Sequence, residues 1–139
     1  TDYYLLWQRL LGLDGPFDFD GIARMETDYY LSRINEYGTP MDPRHDYVKS
    51  DWLSWVAAMA PQEDGWQRMM DPLFRYYNTT ASRQPLTDLY DTVLGTQTFA
   101  ISFIARPVMG GLFAKMLMPP TAAPKPMASA AHLVEESER

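Results

Sequence analysis

Large apolar side chains recur along the chain at the spacing of one helical face, in four successive segments. Each segment is bounded by residues that start or stop helices, so the pattern predicts four helices joined by polar connections. The apolar positions are Tyr4, Leu5, Trp7, Leu10 and Leu11 in the first segment; Ile22, Met25, Tyr29 and Ile34 in the second; Trp52, Trp55, Val56 and Met59 in the third; and Trp66, Met69, Met70, Leu73 and Tyr77 in the fourth.

Glycine, proline and aspartate mark the limits of the first two helices. The first ends in the segment GLDGPF, where two glycines and a proline prevent its continuation. The second begins at Asp18 or Asp20, either of which can act as the N-cap by accepting a hydrogen bond from a first-turn N–H. It ends in the segment EYGTP, where Gly38 suits the left-handed position that follows a helix and Pro40 cannot extend one. The second helix is therefore predicted to reach the residues just before Gly38.

Hydroxyl and carboxyl side chains begin the third and fourth helices. Ser50 stands in front of the third stripe as the predicted N-cap, and Pro61 follows the stripe. Asp64 is the predicted N-cap of the fourth helix, in which Pro72 removes one backbone hydrogen bond and should produce a kink.

The connection after the fourth helix is rich in turn-forming residues. Residues 78–97 are predicted to be a long loop with a short turn at residues 86–90. Alternating apolar positions then predict a short strand at residues 99–105. Residues 108–118 are predicted to form a last helix, whose paired glycines at positions 110 and 111 permit close backbone approach.

From Pro119 onward the sequence contains no aromatic residue and is dominated by Pro, Ala, Ser and Glu. Such a segment cannot bury enough apolar surface to order itself, which predicts a disordered tail over residues 119–139. Residues 1–118 then form the folded unit. The predicted fold class is all-α, built of helical hairpins with long loops.

Composition excludes several classes of function. The 139 residues are 46% hydrophobic, which suffices for the core of one domain. A net charge of -6 with scattered Lys and Arg argues against a nucleic-acid partner. No apolar run approaches the roughly 20 residues that cross a bilayer, so no membrane partner is expected. The sequence lacks an initiator Met and enters an apolar segment at once, which we interpret as a fragment of a longer protein.

The segment KSDW, Lys49 to Trp52, admits two interpretations. In the first, which we favour, Ser50 and Asp51 only begin a helix, because a hydroxyl acceptor and a carboxylate both stabilise its positive end. In the second, the same end of the helix holds an anionic substrate group, with Lys49 alongside to pair with a carboxylate.

The segment TDLYDT places Asp88 and Asp91 three residues apart with Tyr90 between them. Two neighbouring carboxyl groups can differ in pKa and so divide acid and base roles, although Asp is equally common as a cap of turns and helices. Arg106 could bind a substrate carboxylate through two hydrogen bonds, or could instead pair with a neighbouring Asp. In each case the structural role is the favoured interpretation.

Metal and cofactor chemistry find no support in the sequence. Cysteine is absent, and His45 and His132 are far apart without ligand-spaced companions, so no metal ion and no cofactor is predicted. Asn78 satisfies the N-glycosylation pattern, which is informative only for a secreted chain.

Four segments in order, YYLLWQRLLGLD, DPRHDYVKSDWLSWVAAMA, MDPLFRYYNTTASRQPLTDLYDT and RPVMGGLFAKML, resemble the C-terminal part of the glutaminase A family. The resemblance covers about the first 118 residues. It implies a six-helical-hairpin domain, an (α/α)6 toroid, of which this chain would supply the last few hairpins and pack against the missing N-terminal part. It also implies an extracellular enzyme that hydrolyses glutamine to glutamate and ammonia.

The motifs that carry the resemblance fall on Tyr47, Lys49, Ser50, Asp51 and Trp52; on Asp88, Tyr90, Asp91 and Thr92; and on Arg106, Gly110, Gly111, Phe113, Lys115 and Met116. The sequence departs from the family in a longer connection between Gly95 and Arg106 and in Pro107, which replaces a small polar residue.

The resemblance leads to a small-molecule hydrolase as the first functional hypothesis. The catalytic candidates are Asp88 or Asp91 as the base that activates water, with Asp51 as a third carboxylate. The substrate-binding candidates are Lys49 and Arg106 for the α-carboxylate, with Trp52 and Tyr90.

Two alternatives stay open. Toroids of this kind commonly act on sugars, so an aromatic-lined cavity with carboxylates could cleave glycosidic bonds instead. A chain that lacks much of the ring could also be an inactive truncated fragment.

Overall fold

A computed structural model describes residues 2–13, 15–98 and 103–119. This part of the chain contains five α-helices, one two-stranded antiparallel sheet and one 3-10 segment. In chain order they are α1 (Leu5–Leu10), α2 (Phe19–Leu31), β1 (Tyr47–Lys49), α3 (Ser50–Ala58), α4 (Glu63–Thr79), β2 (Leu89–Asp91), the 3-10 segment (Pro107–Phe113) and α5 (Ala114–Leu117). The helix-rich fold agrees with the predicted all-α class.

Helix α3 lies at the centre of the packing. Seven of its nine residues are buried, because the helix contacts α1, α4, α5 and the 3-10 segment. Small side chains such as Ser54, Ala57 and Ala58 allow these neighbours to approach closely. The predicted stripes of α3 and α4 pack in or beside this core. The predicted faces of the first two segments were wrong in part, because Tyr4, Leu11, Met25 and Tyr29 are exposed and Leu6, Ala23 and Tyr30 are buried instead.

Two apolar clusters flank α3. One contains Leu6, Tyr30, Val56, Ala57 and Met69, and joins α1, α2, α3 and α4. The other contains Val48, Leu53, Leu73, Tyr76 and Tyr90, and fixes the small sheet against α3 and α4. The second cluster determines where the ends of β1 and β2 lie.

Helix α2 starts where the sequence predicts and ends earlier. The Asp18 side chain accepts from the Gly21 N–H at 3.1 Å, which confirms it as the N-cap. The helix stops at Leu31, so the predicted end near Gly38 was wrong. Residues 35–38 form a tight turn, and the Tyr37 N–H donates to the Thr92 carbonyl, so a long-range contact replaces further helical bonding.

The predicted caps of α3 and α4 are wrong by one or two positions. Lys49 is the N-cap of α3 and Ser50 is its first residue. Gln62 is the N-cap of α4, so Asp64 lies within the first turn. The helix α4 continues through Pro72 to Thr79, two residues into the predicted loop.

The second half of the chain differs more from expectation. Residues 89–91 form β2 instead of part of a turn, and they pair with β1. The predicted last helix is mostly a 3-10 segment that becomes α-helical only at Ala114. Of the predicted strand, residues 99–102 lie outside the described residues, and Ile104 makes only an isolated bridge to Thr87. The predicted tail, apart from Pro119, also lies outside them.

Candidate functional site

The sheet brings two distant motifs together at the start of α3. Lys49 is paired with Leu89, and the Ser50 N–H donates to the Asp88 carbonyl at 2.8 Å. The residue before β2 therefore lies beside the first turn of α3. The segments KSDW and TDLYDT meet here although 34 residues, 53–86, lie between them in the sequence.

Asp88 and Arg106 form a bidentate ion pair beside the first turn of α3. The Arg106 Nε donates to Asp88 Oδ1 at 2.9 Å and its Nη2 donates to Oδ2 at 2.6 Å. The Asp88 side chain is fully buried, whereas the Arg106 side chain is 32% exposed. The Asp88 carboxylate raises the pKa of the Arg106 guanidinium. Both oxygens of Asp88 are thus engaged, which fits the role of positioning Arg106.

Phe103 supports this pair from one side. The Arg106 guanidinium carbon lies 4.4 Å from the centre of the Phe103 ring, within the range of a cation–π contact. The Phe103 carbonyl accepts from the Asp88 N–H at 3.0 Å. Phe103 has a φ of 87° and Ala105 a φ of 50°, which are costly for residues with side chains. The strained segment holds the ring and the guanidinium next to Asp88.

Asp51 is the other buried carboxylate of the site. Its side chain is only 3% exposed, and among the described residues its Oδ1 has no hydrogen-bond partner. Burial raises the pKa of Asp51 and the Asp88 charge adds to the shift, while the Lys49 ammonium and the backbone N–H groups of Trp52 and Asp51 oppose it. A carboxyl group of this kind therefore holds its proton to a higher pH than an exposed Asp does.

Lys49 lies above an aromatic surface next to Asp51. Its Nζ is 3.9 Å from Asp51 Oδ2 and 4.6 Å from the centre of the Trp52 indole. The Trp52 ring is in turn stacked on Tyr3 of the N-terminal segment, with 4.3 Å between ring centres. Lys49, Asp51, Asp88 and Arg106, which we call the polar cluster, therefore have aromatic rings as neighbours.

The 3-10 segment packs directly against Asp51 of the polar cluster. A Cβ at Gly111 would come within 2.8 Å of the Asp51 Cβ and 2.7 Å of the Trp55 indole nitrogen, so only glycine fits. The predicted close approach at the paired glycines is thereby confirmed for Gly111. The Met109 sulfur accepts from the Ser50 and Tyr77 hydroxyls at 3.8 and 3.7 Å.

The predicted site residues separate into two groups. Lys49, Asp51, Trp52, Asp88 and Arg106 are brought together around the polar cluster, although Asp88 is occupied by Arg106. The other two predicted residues, Tyr90 and Asp91, are held by different contacts. Asp91 Oδ1 accepts from the N–H groups of Val93 and Leu94 at 2.8 Å and so caps the turn after β2.

Tyr90 belongs to the apolar core beneath the sheet. Its ring is fully buried and stacked on Tyr76 with 3.7 Å between centres, and its hydroxyl donates to the Tyr37 carbonyl at 2.8 Å. Burial raises the pKa of Tyr90 well above its usual value. These contacts stabilise the fold and give the side chain no exposed surface to present to a substrate.

We expect Tyr90→Phe to lower the free energy of unfolding by about 1–2 kcal/mol, because the Tyr37 carbonyl loses its donor inside the protein. Urea denaturation measures the effect. Activity per folded molecule should be unchanged. A variant with native stability and reduced activity would return Tyr90 to the substrate-binding role that the sequence suggests.

Sequence reasoning missed Phe103, Tyr77 and Met109 as neighbours of the site. Tyr77 and Met109 carry ordinary signals of a helical core, and the positive φ of Phe103 leaves no mark in the sequence. Only the position of Phe103 three residues before Arg106 could have suggested it.

Neither metal binding nor membrane crossing has structural support in the described part of the chain. Within residues 2–13, 15–98 and 103–119, no group of three His, Asp or Glu side chains could hold a metal ion. No helix in these ranges is both long and apolar enough to span a bilayer.

The chain matches the model of a known protein family. The family model described as the glutaminase A six helical-hairpin domain matches residues 1–116. The chain therefore belongs to the glutaminase A family, which confirms the resemblance carried by the KSDW and TDLYDT motifs.

Two curated relatives show how much of the family's length is present. A protein named "Glutaminase A" from Aspergillus oryzae is 38% identical over 116 residues, which are 84% of this chain and 16% of the relative. A protein named "Probable glutaminase" from Arthroderma benhamiae is 35% identical over 93 residues, which are 67% of this chain and 11% of the relative. The chain thus spans less than a fifth of either relative. No solved structure matches it.

Proposed function

We propose that the chain is part of an amide hydrolase that converts glutamine to glutamate and ammonia, and that the polar cluster is its contribution to the active site. The observation that carries the proposal is Asp51, a buried carboxylate whose Oδ1 has no partner among the described residues and whose pKa is raised by burial. A buried carboxylate with one oxygen that accepts no hydrogen bond costs stability, and such a cost is commonly met at working sites.

Asp51 acts in this proposal as the general base. Its carboxylate takes a proton from water, and the resulting hydroxide adds to the carbon of the side-chain carboxamide. The amide nitrogen of the tetrahedral intermediate then receives this proton from the Asp51 carboxyl group. Its bond to carbon breaks, and ammonia leaves. The raised pKa makes the Asp51 carboxylate a stronger base than an exposed Asp, which favours its taking the proton from water.

The two cations bind the charged end of the substrate. Lys49 is 15% exposed and Arg106 is 32% exposed, so both heads reach the surface while the carboxylates lie beneath them. Asp88 engages two of the five N–H donors of Arg106 and fixes its orientation, which leaves other donors for an α-carboxylate. Asp88 is accordingly a positioning residue, and Asp91, which caps a turn, takes no part.

The surrounding architecture is proposed to be an (α/α)6 toroid. Five helices with apolar faces, joined by polar connections near the cluster, are consistent with a portion of such a ring. The family's description as a six helical-hairpin domain supports the same arrangement. The extracellular location implied by the resemblance belongs to the same proposal.

Carbohydrate is the second candidate substrate. Trp52 stacked on Tyr3 offers a flat aromatic surface beside two aspartates, which suits sugar rings. The engagement of both Asp88 oxygens by Arg106 makes this reading weaker, because glycosidases need two working carboxyl groups.

One assay distinguishes the candidates. The complete polypeptide that carries this chain is offered glutamine and a panel of aryl glycosides, with ammonia and phenol release measured in parallel. We expect ammonia from glutamine and no phenol. Phenol release alone would assign the site to sugars, and the absence of both products would support an inactive chain.

A further inference from the structure

Helix α4 has a second apolar face that the described chain leaves uncovered. Its inward face packs Met69, Leu73 and Tyr76 into the core, but the neighbouring side chains line a groove of about 350 Å³ between α4 and the 3-10 segment. We call it the α4 groove. Its lining consists of Trp66, Gln67, Met70, Asp71, Leu73, Phe74, Tyr77 and Leu112.

The groove has the character of a helix-packing surface. Trp66, Met70 and Phe74 follow one another at a spacing of four residues, which forms a straight ridge along α4. Phe74 is 72% exposed, although a surface helix normally turns charged or polar side chains outward. A ridge of large apolar side chains beside an open groove marks a site where another element binds.

We propose that the α4 groove is occupied by an amphipathic helix from a part of the same polypeptide that lies outside residues 1–139. The family domain is built of six helical hairpins, whereas the described residues provide five α-helices, one of them only four residues long. The Aspergillus oryzae relative has more than five-sixths of its length outside the matched region. The inference rests on family membership and not on the proposed activity.

The charge of Asp71 predicts one property of the helix that binds in the α4 groove. Asp71 is exposed and belongs to the groove lining, next to Met70 and one turn from Phe74 on α4. The helix that binds here should therefore carry an apolar stripe with a Lys or Arg positioned toward Asp71. A second copy of this chain fits less well, because its own α4 groove would bring two Asp71 carboxylates together.

Thiol labelling tests the proposal, because the chain has no native cysteine. Phe74→Cys and Gln67→Cys place single thiols in the α4 groove, and Gln67 is an exposed position where substitution disturbs little. Leu94→Cys is the matched control, since Leu94 is 68% exposed in the turn after β2. Each variant is prepared within the complete polypeptide, and the rate at which its thiol reacts with a soluble disulfide reagent is measured in the folded protein and in urea, by mass spectrometry of the peptide that carries the thiol.

We expect both groove thiols to react at least about tenfold more slowly in the folded polypeptide than in urea, with the Leu94→Cys thiol slowed much less. Groove thiols that are as reactive as the Leu94→Cys thiol would overturn the proposal. Equal slowing at all three positions would also overturn it, because the protection would not belong to the groove. Protection that grows with protein concentration, together with a dimer mass, would assign the groove to a second copy instead.

Discussion

We expect Asp51→Asn to lower ammonia release from glutamine about a hundredfold or more in the complete polypeptide, in line with the loss of a general base. Asparagine keeps the size of the side chain and its place under Gly111, but its amide cannot accept the proton of the attacking water. Initial rates of ammonia release at saturating glutamine measure the loss. The substrate KM should change little, because Lys49 and Arg106 remain in place.

The same substitution should raise the free energy of unfolding at neutral pH. Burial raises the pKa of Asp51 above its ordinary value of 3.8, so the folded state binds the proton more tightly than the unfolded state does. The carboxyl group therefore favours folding below its unfolded pKa, and that contribution is lost as the pH rises through the folded pKa. Asparagine has no charge to bury, so its advantage over Asp51 should be absent at low pH and increase toward neutral pH.

Urea denaturation at several pH values between about 3 and 7 measures this difference. Gain of stability with loss of activity is the pattern expected where a working group is held in an unfavourable environment. Asp91→Asn is the matched control, and it should retain activity because Asp91 only caps the turn at Val93 and Leu94. Wild-type rates in Asp51→Asn would remove Asp51 from the mechanism. Loss of stability at neutral pH would make the carboxylate a structural group.

The helices could be predicted from sequence because their apolar faces have a local period. The stripes of α3 and α4 emerge directly from the positions of Trp and Met residues, and Gly111 was identifiable as a point of close approach. The end of α2 could not be predicted in this way. Ile34 continues the apolar spacing but lies outside the helix, because the hydrogen bond from the Tyr37 N–H to the Thr92 carbonyl determines the path of the chain. Tertiary contacts of this kind carry no local signal.

The site was predictable only in part for a related reason. Lys49 and Asp51 adjoin in sequence and remain neighbours at the start of α3. Strands of three residues are too short to show an alternating pattern, so the pairing of β1 with β2 that delivers Asp88 was missed. The partner of Arg106 was open between a substrate carboxylate and a neighbouring Asp. The fold selects Asp88, 18 residues earlier.

The ion pair between Asp88 and Arg106 carries the second large effect. We expect Arg106→Met to lower the free energy of unfolding by about 3 kcal/mol, because it leaves the fully buried Asp88 carboxylate without its partner. The value is at the low end of the range for buried pairs, since the guanidinium is about one-third exposed and water can reach it. Methionine keeps an apolar side chain beside Phe103 but not the cation–π contact, so the loss reports on both interactions of the guanidinium charge.

A double-mutant cycle isolates the pair. Arg106→Met alone leaves the Asp88 charge buried without a partner. Adding Asp88→Asn removes that charge, so the double variant should be more stable than Arg106→Met alone. Equilibrium denaturation of the four proteins gives the coupling energy. Additive losses would mean that Asp88 and Arg106 stabilise the fold independently, and Asp88 would then again be free to serve as a catalytic carboxylate. A strong coupling leaves Asp51 as the carboxylate available for proton transfer in the polar cluster.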